Sequence, residues 1–227
     1  MSFITQPIEA ILNPLLTFFY QMGHDWGLAI ILLTILVRLL MSPLNLRTAR
    51  QMIRQGKMQP HMKKLQEKYA KDPEKMMPEM VALYKSYGVK PMSMFTTALV
   101  QMPIFTAMYF LFQSHGSAMS SILIPWVSTF AEADAWHLLP VLAGALTFAT
   151  NMIPLTNENS QQAPFGTRIT MSVVMVGMFT MLLWKAPVAL ALYWTTGSAY
   201  VLLERAFYRT KMGKTVLNRR LNLPVEA

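Results

Sequence analysis

Long apolar stretches alternate with polar connections along the chain, a pattern typical of helical membrane proteins. A helix of about 20 apolar residues crosses the roughly 30 Å of hydrocarbon in a bilayer. Five stretches approach that length without an acidic residue, and the first is expected to end at Pro43 because proline disrupts helix interiors. These stretches are residues 26–42, 92–113, 136–154, 168–184 and 187–203. The sequence therefore predicts an all-α integral membrane protein with five transmembrane helices.

The first 25 residues are more mixed in character than the five predicted spans. Apolar side chains that can share one helical face are Ile8, Ile11, Leu12, Leu15, Phe18 and Phe19. Glu9, Asn13 and Gln21 make the segment too polar for a convincing span. We predict that residues 1–25 form an amphipathic helix on the outer membrane surface, with a poorly formed extra span as the alternative. No basic residue precedes the apolar part, so we expect no cleaved signal peptide.

The connection between the first two spans, residues 43–91, is basic and has its own helical pattern. Apolar side chains recur at helical spacing on both sides of Asp72 and Pro73, and Gly88 is a candidate C-cap. They are Met58, Met62, Leu65 and Tyr69 before the break, and Met76, Met80, Leu83 and Tyr87 after it. The pattern predicts an antiparallel helical hairpin whose apolar stripes pack on each other. A stripe that binds substrate is the alternative.

Basic residues are distributed unevenly among the connections, which indicates the orientation. Residues 43–91 carry eleven Lys and Arg and the tail 204–227 carries six, whereas residues 1–25 and 114–135 carry none. Basic connections tend to stay in the cytoplasm. Five spans then place the N-terminus outside, the C-terminus inside and the hairpin in the cytoplasm. The connection 155–167 also falls inside, although it is nearly uncharged.

Composition narrows the function classes. Charged residues make up 14% of the chain, against about 25% in soluble domains. The net charge of +9 suits an anionic membrane surface, a ribosome or nucleic acid, and its concentration in residues 43–91 and the tail favours the first two. The absence of cysteine excludes disulfides, thiolate catalysis and cysteine-based metal sites. Twenty methionines suit either an adaptable apolar surface or a membrane core.

Arg38 is the strongest candidate for a functional residue, since a guanidinium among apolar residues needs water, a partner or headgroups. Thr34 lies one turn earlier on the same face. Snorkelling to the membrane surface past Pro43 is the structural alternative. Other polar side chains within the spans could bond neighbouring helices or converge with Arg38 on a wet cavity. They are Thr96, Thr97 and Gln101, then Thr147, Thr150 and Asn151, and finally Tyr193, Trp194, Thr195 and Thr196.

Four segments resemble the YidC/Oxa/Alb family of membrane protein insertases. Residues 101–110, QMPIFTAMYF, look like the family's second core span, and residues 83–95, LYKSYGVKPMSMF, look like the approach to it. Residues 34–45, TILVRLLMSPLN, are similar to its first core span with the buried arginine. LYW at 192–194 looks like the start of the last span. The resemblance as a whole covers nearly the whole chain, from about residue 8 to residue 209.

The last span departs from the family pattern in two places. Residues 187–190 read Pro-Val-Ala-Leu where the family often has Pro-Ala-Gly-Leu. Residues 195–200, TTGSAY, lack the asparagine that commonly follows LYW. These changes affect what the resemblance implies for the last span.

The resemblance implies a minimal bacterial insertase core that inserts and helps to fold newly made proteins in the inner membrane. It also implies a hydrophilic groove that is open to the cytoplasm and to lipid but closed on the outer side. By position, the groove would be lined by Arg38, Thr34, Gln101, Thr97, Tyr193 and Trp194. The implied partners are nascent proteins of one or a few spans with acidic translocated tails, and anionic lipids. The ribosome and a Sec translocase are candidate partners.

A transporter or channel, an intramembrane enzyme and an assembly factor are the alternatives to an insertase. A transporter or channel usually has paired ionisable residues at mid-membrane, and the predicted spans contain no acid. An intramembrane enzyme would need a catalytic group, and the sequence offers only the pair Asp134 and His137. We expect these two to be surface polar residues, and we therefore expect no catalytic activity, metal or cofactor. A dedicated assembly factor for one membrane complex remains an alternative.

Overall fold

The computed structural model describes residues 2–90, 92–155, 165–219 and 221, with only the backbone described for 2–6, 93–98 and 165. These residues form helices and no strand, which confirms the all-α prediction. The helices are α1 (Ser2–Gly23), α2 (Trp26–Lys68), α3 (Pro73–Ser86), α4 (Ser93–His115), α5 (Leu138–Met152), α6 (Phe165–Trp184), α7 (Val188–Tyr208) and α8 (Lys211–Asn218). A short 3-10 turn, Gly116–Ala118, follows α4. Most of the predicted connection 155–167 lies outside the described residues.

The expectation that the first span ends at Pro43 is wrong, because α2 continues through this proline to Lys68 as one helix of 43 residues. A proline removes only one backbone donor, and packing on both sides of it can hold the helix together. Met41 and Ala49 are both buried on either side of Pro43. The first predicted span and the first arm of the hairpin are therefore one continuous helix.

Two of the described helices are long and apolar enough to cross a membrane. They are α2, whose most apolar 18 residues have a mean hydropathy of 2.2, and Gly166–Trp184 of α6, where the corresponding value is 1.5. Only 11% of that most apolar part of α6 is buried inside the protein, and Met181 is 79% exposed. A helix that exposes so much apolar surface is suited to lipid rather than to water. The apolar helix α5 is shorter.

The main core lies at one end of the bundle. We call the end with residues 116–137 and the starts of α2 and α7 the loop end, and the end with α3 and α8 the hairpin end. The first six residues of α7, Val188–Tyr193, are all buried, and side chains of α1, α2, α4 and α5 pack around them. Toward the hairpin end the described residues form only two small apolar clusters. The bundle is thus densely packed at the loop end and more polar beyond it.

Helix α1 packs on α2 and α4, so that Leu12 and Leu16 join the core. Ile11 and Phe18 are exposed instead. Contact with α2 and α4 therefore buries only part of the predicted apolar face. The buried face is set by where α2 and α4 meet α1, and apolar residues outside that contact can remain exposed.

The loop end is closed by hydrogen bonds around two buried carboxylates. Asp134, expected at the surface, is 1% exposed, because Trp126 Nε1 and the backbone N–H groups of Trp136 and Leu139 donate to it. The N–H of Val188 in turn donates to the carbonyl of Glu132 at 2.7 Å. These bonds hold the loop against the first turn of α7.

Asp25 is the second of these carboxylates and joins the start of α2 to the loop. As the N-cap of α2 it accepts the Leu28 N–H at 2.8 Å, and it also accepts the Ser121 hydroxyl and the Ile122 N–H at 2.7 Å each. Burial raises the pKa of Asp25, but these hydrogen bonds, together with one from the Gly27 N–H, outweigh burial and lower it below 3.8.

At the hairpin end, α2 and α3 form an antiparallel hairpin. Asp72 caps α3, and Tyr87 at its other end packs on Met58, with its hydroxyl 3.0 Å from His61 Nδ1. Gly88 follows with a φ of +60°, a conformation that favours glycine. Met58 and Met62 of α2 thus pack with Leu83 and Tyr87 at the end of α3, so part of each predicted stripe meets the other.

Helix α8 docks beside the hairpin. Its Leu217 is buried against Ala49 and Ile53 of α2, and Arg50 donates to the carbonyl of Leu217 at 3.1 Å. The chain therefore folds back onto α2 after α7.

We expect the substitution Asp25→Asn to loosen the loop end in a pH-dependent way. Because folding lowers the pKa of Asp25, its carboxylate stabilises the protein above pH 3.8, and this contribution is lost as the pH falls through the lowered value. At neutral pH, Asp25→Asn should reduce the free energy of unfolding by about 1–3 kcal/mol. The difference from wild type should shrink in acid, as measured by denaturant unfolding in detergent from pH 7 to pH 3.

The matched control is Glu132→Gln, since the side chain of Glu132 is exposed in the same loop. This variant should unfold like the wild type at every pH. A deficit for Asp25→Asn that stays constant down to pH 3 would contradict the proposed role of the carboxylate charge.

Candidate functional site

Arg38 lies on α2 just past the end of the loop-end core, and its side chain turns into the bundle. A Cβ atom at position 197 of α7 would lie 2.5 Å from Arg38 Nη2 and 3.1 Å from its Nε, so the guanidinium is seated where only glycine leaves room. The Nε atom is buried and has no hydrogen-bond partner among the described residues. The guanidinium therefore packs against α7 rather than pointing away from the bundle.

Gln101 and Tyr193 meet beside Arg38. Gln101 Nε2 donates to the Tyr193 hydroxyl at 2.8 Å, and Tyr193 is 0% exposed. Arg38 is close enough to interact electrostatically with Tyr193. Three of the six predicted residues are thus brought together from α2, α4 and α7.

Two of the other three predicted residues do not join this group. Thr34 is fully buried, and its hydroxyl donates to the Ile30 carbonyl of its own helix at 2.6 Å. Trp194 points away and stacks on Phe179 of α6 at 4.8 Å, with Phe105 of α4 edge-on. The side chain of Thr97 lies outside the described residues.

A stripe of residues on α7 faces Arg38, and only Tyr193 of this stripe was among the predicted groove residues. Tyr193, Gly197, Tyr200 and Glu204 recur at spacings of four, three and four, which places them on one helical face. Tyr200 and Glu204 both interact electrostatically with Arg38. Helical periodicity counted from Tyr193 could have found these residues. Their partner could not have been found from sequence alone, because only the packing of α2 on α7 puts Arg38 against this face.

The group stands where dense packing ends. On the loop-end side, Leu33 and Thr34 of α2 and Leu190 and Tyr193 of α7 are almost completely buried. On the hairpin-end side, Arg38 and Glu204 are only partly buried. The guanidinium thus lies at the border between fully buried and partly buried residues.

An apolar cleft of about 360 Å³ lies between α4 and the α6–α7 corner. It is lined by Phe105, Thr106, Tyr109, Phe110, Leu182, Lys185, Ala186 and Leu190. Helix α6 packs chiefly on α5, so α4 and α6 stand apart. The walls of the cleft suit an apolar segment, and Lys185 is the one charged residue among the residues that line it.

The site offers no obvious covalent or metal chemistry. Among the described residues, no three His, Asp or Glu side chains gather as metal ligands. At neutral pH Arg38 carries a permanent positive charge, and Gln101 and Tyr193 can donate hydrogen bonds. The arrangement is suited to holding a polar or anionic group.

Comparison with known proteins identifies the family. The family model of the 60Kd inner membrane protein matches residues 18–215, which is most of the chain. The chain belongs to the 60Kd inner membrane protein family. This result confirms the resemblance drawn from residues 34–45, 83–95, 101–110 and 192–194.

Relatives in the family carry the name membrane protein insertase YidC. The protein of Clostridium perfringens is 34% identical over 191 residues, which are 83% of this chain and 80% of the relative. That of Chlamydia caviae is 31% identical over 228 residues, which are 91% of this chain but only 28% of the relative. The chain thus spans less than a third of the chlamydial relative.

A solved structure shares the fold of this family member. It is described as an active YidC insertase crystal structure with the first transmembrane domain resolved. The TM-score is 0.68 at 24% sequence identity, and the match covers 89% of this chain and 47% of that one. The likeness shows that the two chains share a fold.

We expect the Gln101–Tyr193 hydrogen bond to couple α4 to α7. Gln101→Leu or Tyr193→Phe alone leaves a partner unsatisfied and should lower the free energy of unfolding by about 1–2 kcal/mol. The double variant should lower the free energy of unfolding by less than the sum of the two single effects, as measured by unfolding in detergent. Thr106→Val, which removes a hydroxyl bonded to the Met102 carbonyl of its own helix, is the control and should change little. Strictly additive effects of the pair would show that the bond does not form.

Proposed function

We propose that this chain is a membrane protein insertase whose hydrophilic groove, containing Arg38, opens to the cytoplasm. The observation that carries the proposal is the seat of Arg38 against Gly197, beside Gln101 and Tyr193, at the inner limit of the dry core. The names of the relatives support an insertase. Insertion requires no enzymatic step, because the substrate is transferred from water through the groove into lipid.

The proposed topology has five spans, with the N-terminus outside and the C-terminus inside, in the bacterial inner membrane. The hairpin end carries most of the basic residues and is therefore assigned to the cytoplasm. If α2 enters the bilayer at Trp26, Arg38 is about 18 Å along a helix that crosses roughly 30 Å. The guanidinium would then stand near mid-membrane, with the dry core between it and the outer surface.

This placement gives a physical route for insertion. Moving a hydrophilic tail through hydrocarbon is costly because its polar groups lose their hydration. A groove that is wet from the cytoplasm to Arg38 shortens the dry path, and the guanidinium attracts an acidic tail most strongly where the local dielectric constant is low. The tail then has to cross only the layer at the level of Tyr193 and Leu190.

The cleft beside α4 is proposed as the exit for the apolar segment of the substrate. Its aromatic walls adjoin the groove, because Trp194 packs between Phe105 of α4 and Phe179 of α6. The lipid-exposed face of α6 continues this apolar surface, with Met171, Met175 and Met178 exposed. Partitioning of the apolar segment into lipid drives its release.

Partners follow from charge and from this route. The substrates are nascent proteins of one or a few spans with acidic translocated tails. The basic hairpin and α8 face the cytoplasm in this topology and would meet anionic lipids, the ribosome or a Sec translocase.

The charge at position 38 is the first test. Arg38→Ala and Arg38→Glu should lower insertion of a single-span substrate with an acidic tail by about tenfold or more, because the tail loses its counter-charge. Arg38→Lys should keep much of the activity, since a positive charge rather than a forked donor is required. Protease protection of the tail in proteoliposomes measures insertion.

Arg47→Ala is the matched control, since Arg47 is exposed on the same helix. It should insert the substrate like the wild type. If Arg38→Ala performs equally well with the acidic tail, the groove mechanism is wrong.

Water access to the groove is the second test, and the lack of native cysteine allows single labels. Gln101→Cys should react with a membrane-impermeant maleimide added from the cytoplasmic side only. Leu111→Cys, at a site 1% exposed in the loop-end core, should not react from either side. Ile122→Cys, 86% exposed at the loop end, should react from outside only. Labelling of position 101 from outside would indicate a through-channel rather than a half-open groove.

A further inference from the structure

Helices α2 and α7 run in the same direction and are in register around Arg38. Both start at the loop end, where Asp25 bonds Ser121 and the Val188 N–H bonds Glu132. Arg38 of α2 lies against Gly197 of α7. Seven residues further along each helix, or about 10.5 Å, Asn45 meets Glu204. The cation is therefore followed, on the hairpin-end side, by an acid.

Glu204 is held in place by its neighbours. The Tyr208 hydroxyl donates to Glu204 Oε1 at 3.0 Å, and the Asn45 side chain forms a second hydrogen bond with the carboxyl group. Arg38 interacts with Glu204 electrostatically, yet the two do not form an ion pair. Glu204 thus faces the cation without neutralising it by contact.

Two nearby basic residues make their hydrogen bonds elsewhere, and Arg205 also interacts electrostatically with Glu204. Arg205, the next residue on α7, donates to the carbonyls of Thr150 and Ile153 at the end of α5. Arg50 donates to α8. Glu204 is the only acid of α7, and α2 carries none before Glu67. The negative charge that opposes Arg38 from these two helices is therefore that of Glu204.

We propose that Glu204 is the internal counter-charge of Arg38 and sets how acidic a substrate tail must be to be held in the groove. This inference rests on the proposed insertase function and deepens it. The carboxylate weakens the potential that Arg38 presents to the entry, so a neutral or weakly acidic tail gains little there. A tail with several carboxylates gains enough to replace Glu204 as the partner of the cation. Glu204 is thus a specificity-determining residue for tail charge.

The test compares wild type with Glu204→Gln, using one single-span substrate whose translocated tail carries zero, one or three acidic residues. The variant keeps the shape and hydrogen-bonding capacity of the side chain but removes its charge. Insertion of the one-acid tail in proteoliposomes should rise about threefold relative to the neutral tail, because Arg38 is no longer opposed. Unfolding in detergent confirms that the variant is folded.

Two variants isolate the charge effect. Glu79→Gln removes an exposed acid from the hairpin and should leave the dependence on tail charge unchanged. In an Arg38→Gln background, Glu204→Gln should no longer favour the one-acid tail, because the cation it opposes is gone. Tyr208→Phe reports on loss of the hydrogen bond alone and should not alter the preference by the same factor.

The outcomes separate this inference from the proposed function. If Arg38→Gln impairs acidic tails but Glu204→Gln shows the wild-type dependence on tail charge, the counter-charge inference is overturned and the insertase proposal stands. A change that is equal for neutral and acidic tails, or that persists without Arg38, also overturns it. If Arg38→Gln inserts every tail like the wild type, both the groove mechanism and the counter-charge fail.

Discussion

A guanidinium held between membrane-spanning helices is tolerated only where water or a partner reaches it, and this constraint organises the proposed site. Arg38 turns into the bundle and lies on Gly197, and its buried Nε has no hydrogen-bond partner in the described part of the chain. Such a group is costly in a uniformly dry bundle. Dense packing ends at the level of Thr34 and Tyr193, and the proposed mechanism places water on the hairpin side of that level.

The dry layer depends in turn on buried carboxylates at the loop end. Asp134 collects three hydrogen bonds from the loop and the start of α5, and Asp25 joins the start of α2 to Ser121 and Ile122. With the loop held in place, Phe130 can be fully buried against the first turns of α7. Polar bonds at one end of the molecule thus hold together the apolar layer on which the proposed half-open groove relies.

Continuity of α2 links the two functional regions. The same helix carries Arg38, the contact with α8 at Arg50 and the hairpin packing at Met58. Pro43 does not interrupt it, because Met41 and Ala49 anchor the helix on both sides. In the proposed topology, the helix that presents Arg38 to the substrate therefore continues without a break into the basic surface that meets cytoplasmic partners.

Much of this protein could be derived from its sequence. Apolar periodicity gave the helices from α4 to α7 within a few residues, and the spacing of Met58, Met62, Leu83 and Tyr87 gave the hairpin packing, since these features depend on neighbours along the chain. The cost of an arginine in an apolar run singled out Arg38. Three features instead depend on contacts between residues far apart in sequence, and only the tertiary structure decided them: the seat of Arg38 on Gly197, the opposition of Glu204, and the divergence of Trp194 from Tyr193. A helical pattern shows which face a residue shares, but the partner of that face is chosen by how whole helices pack.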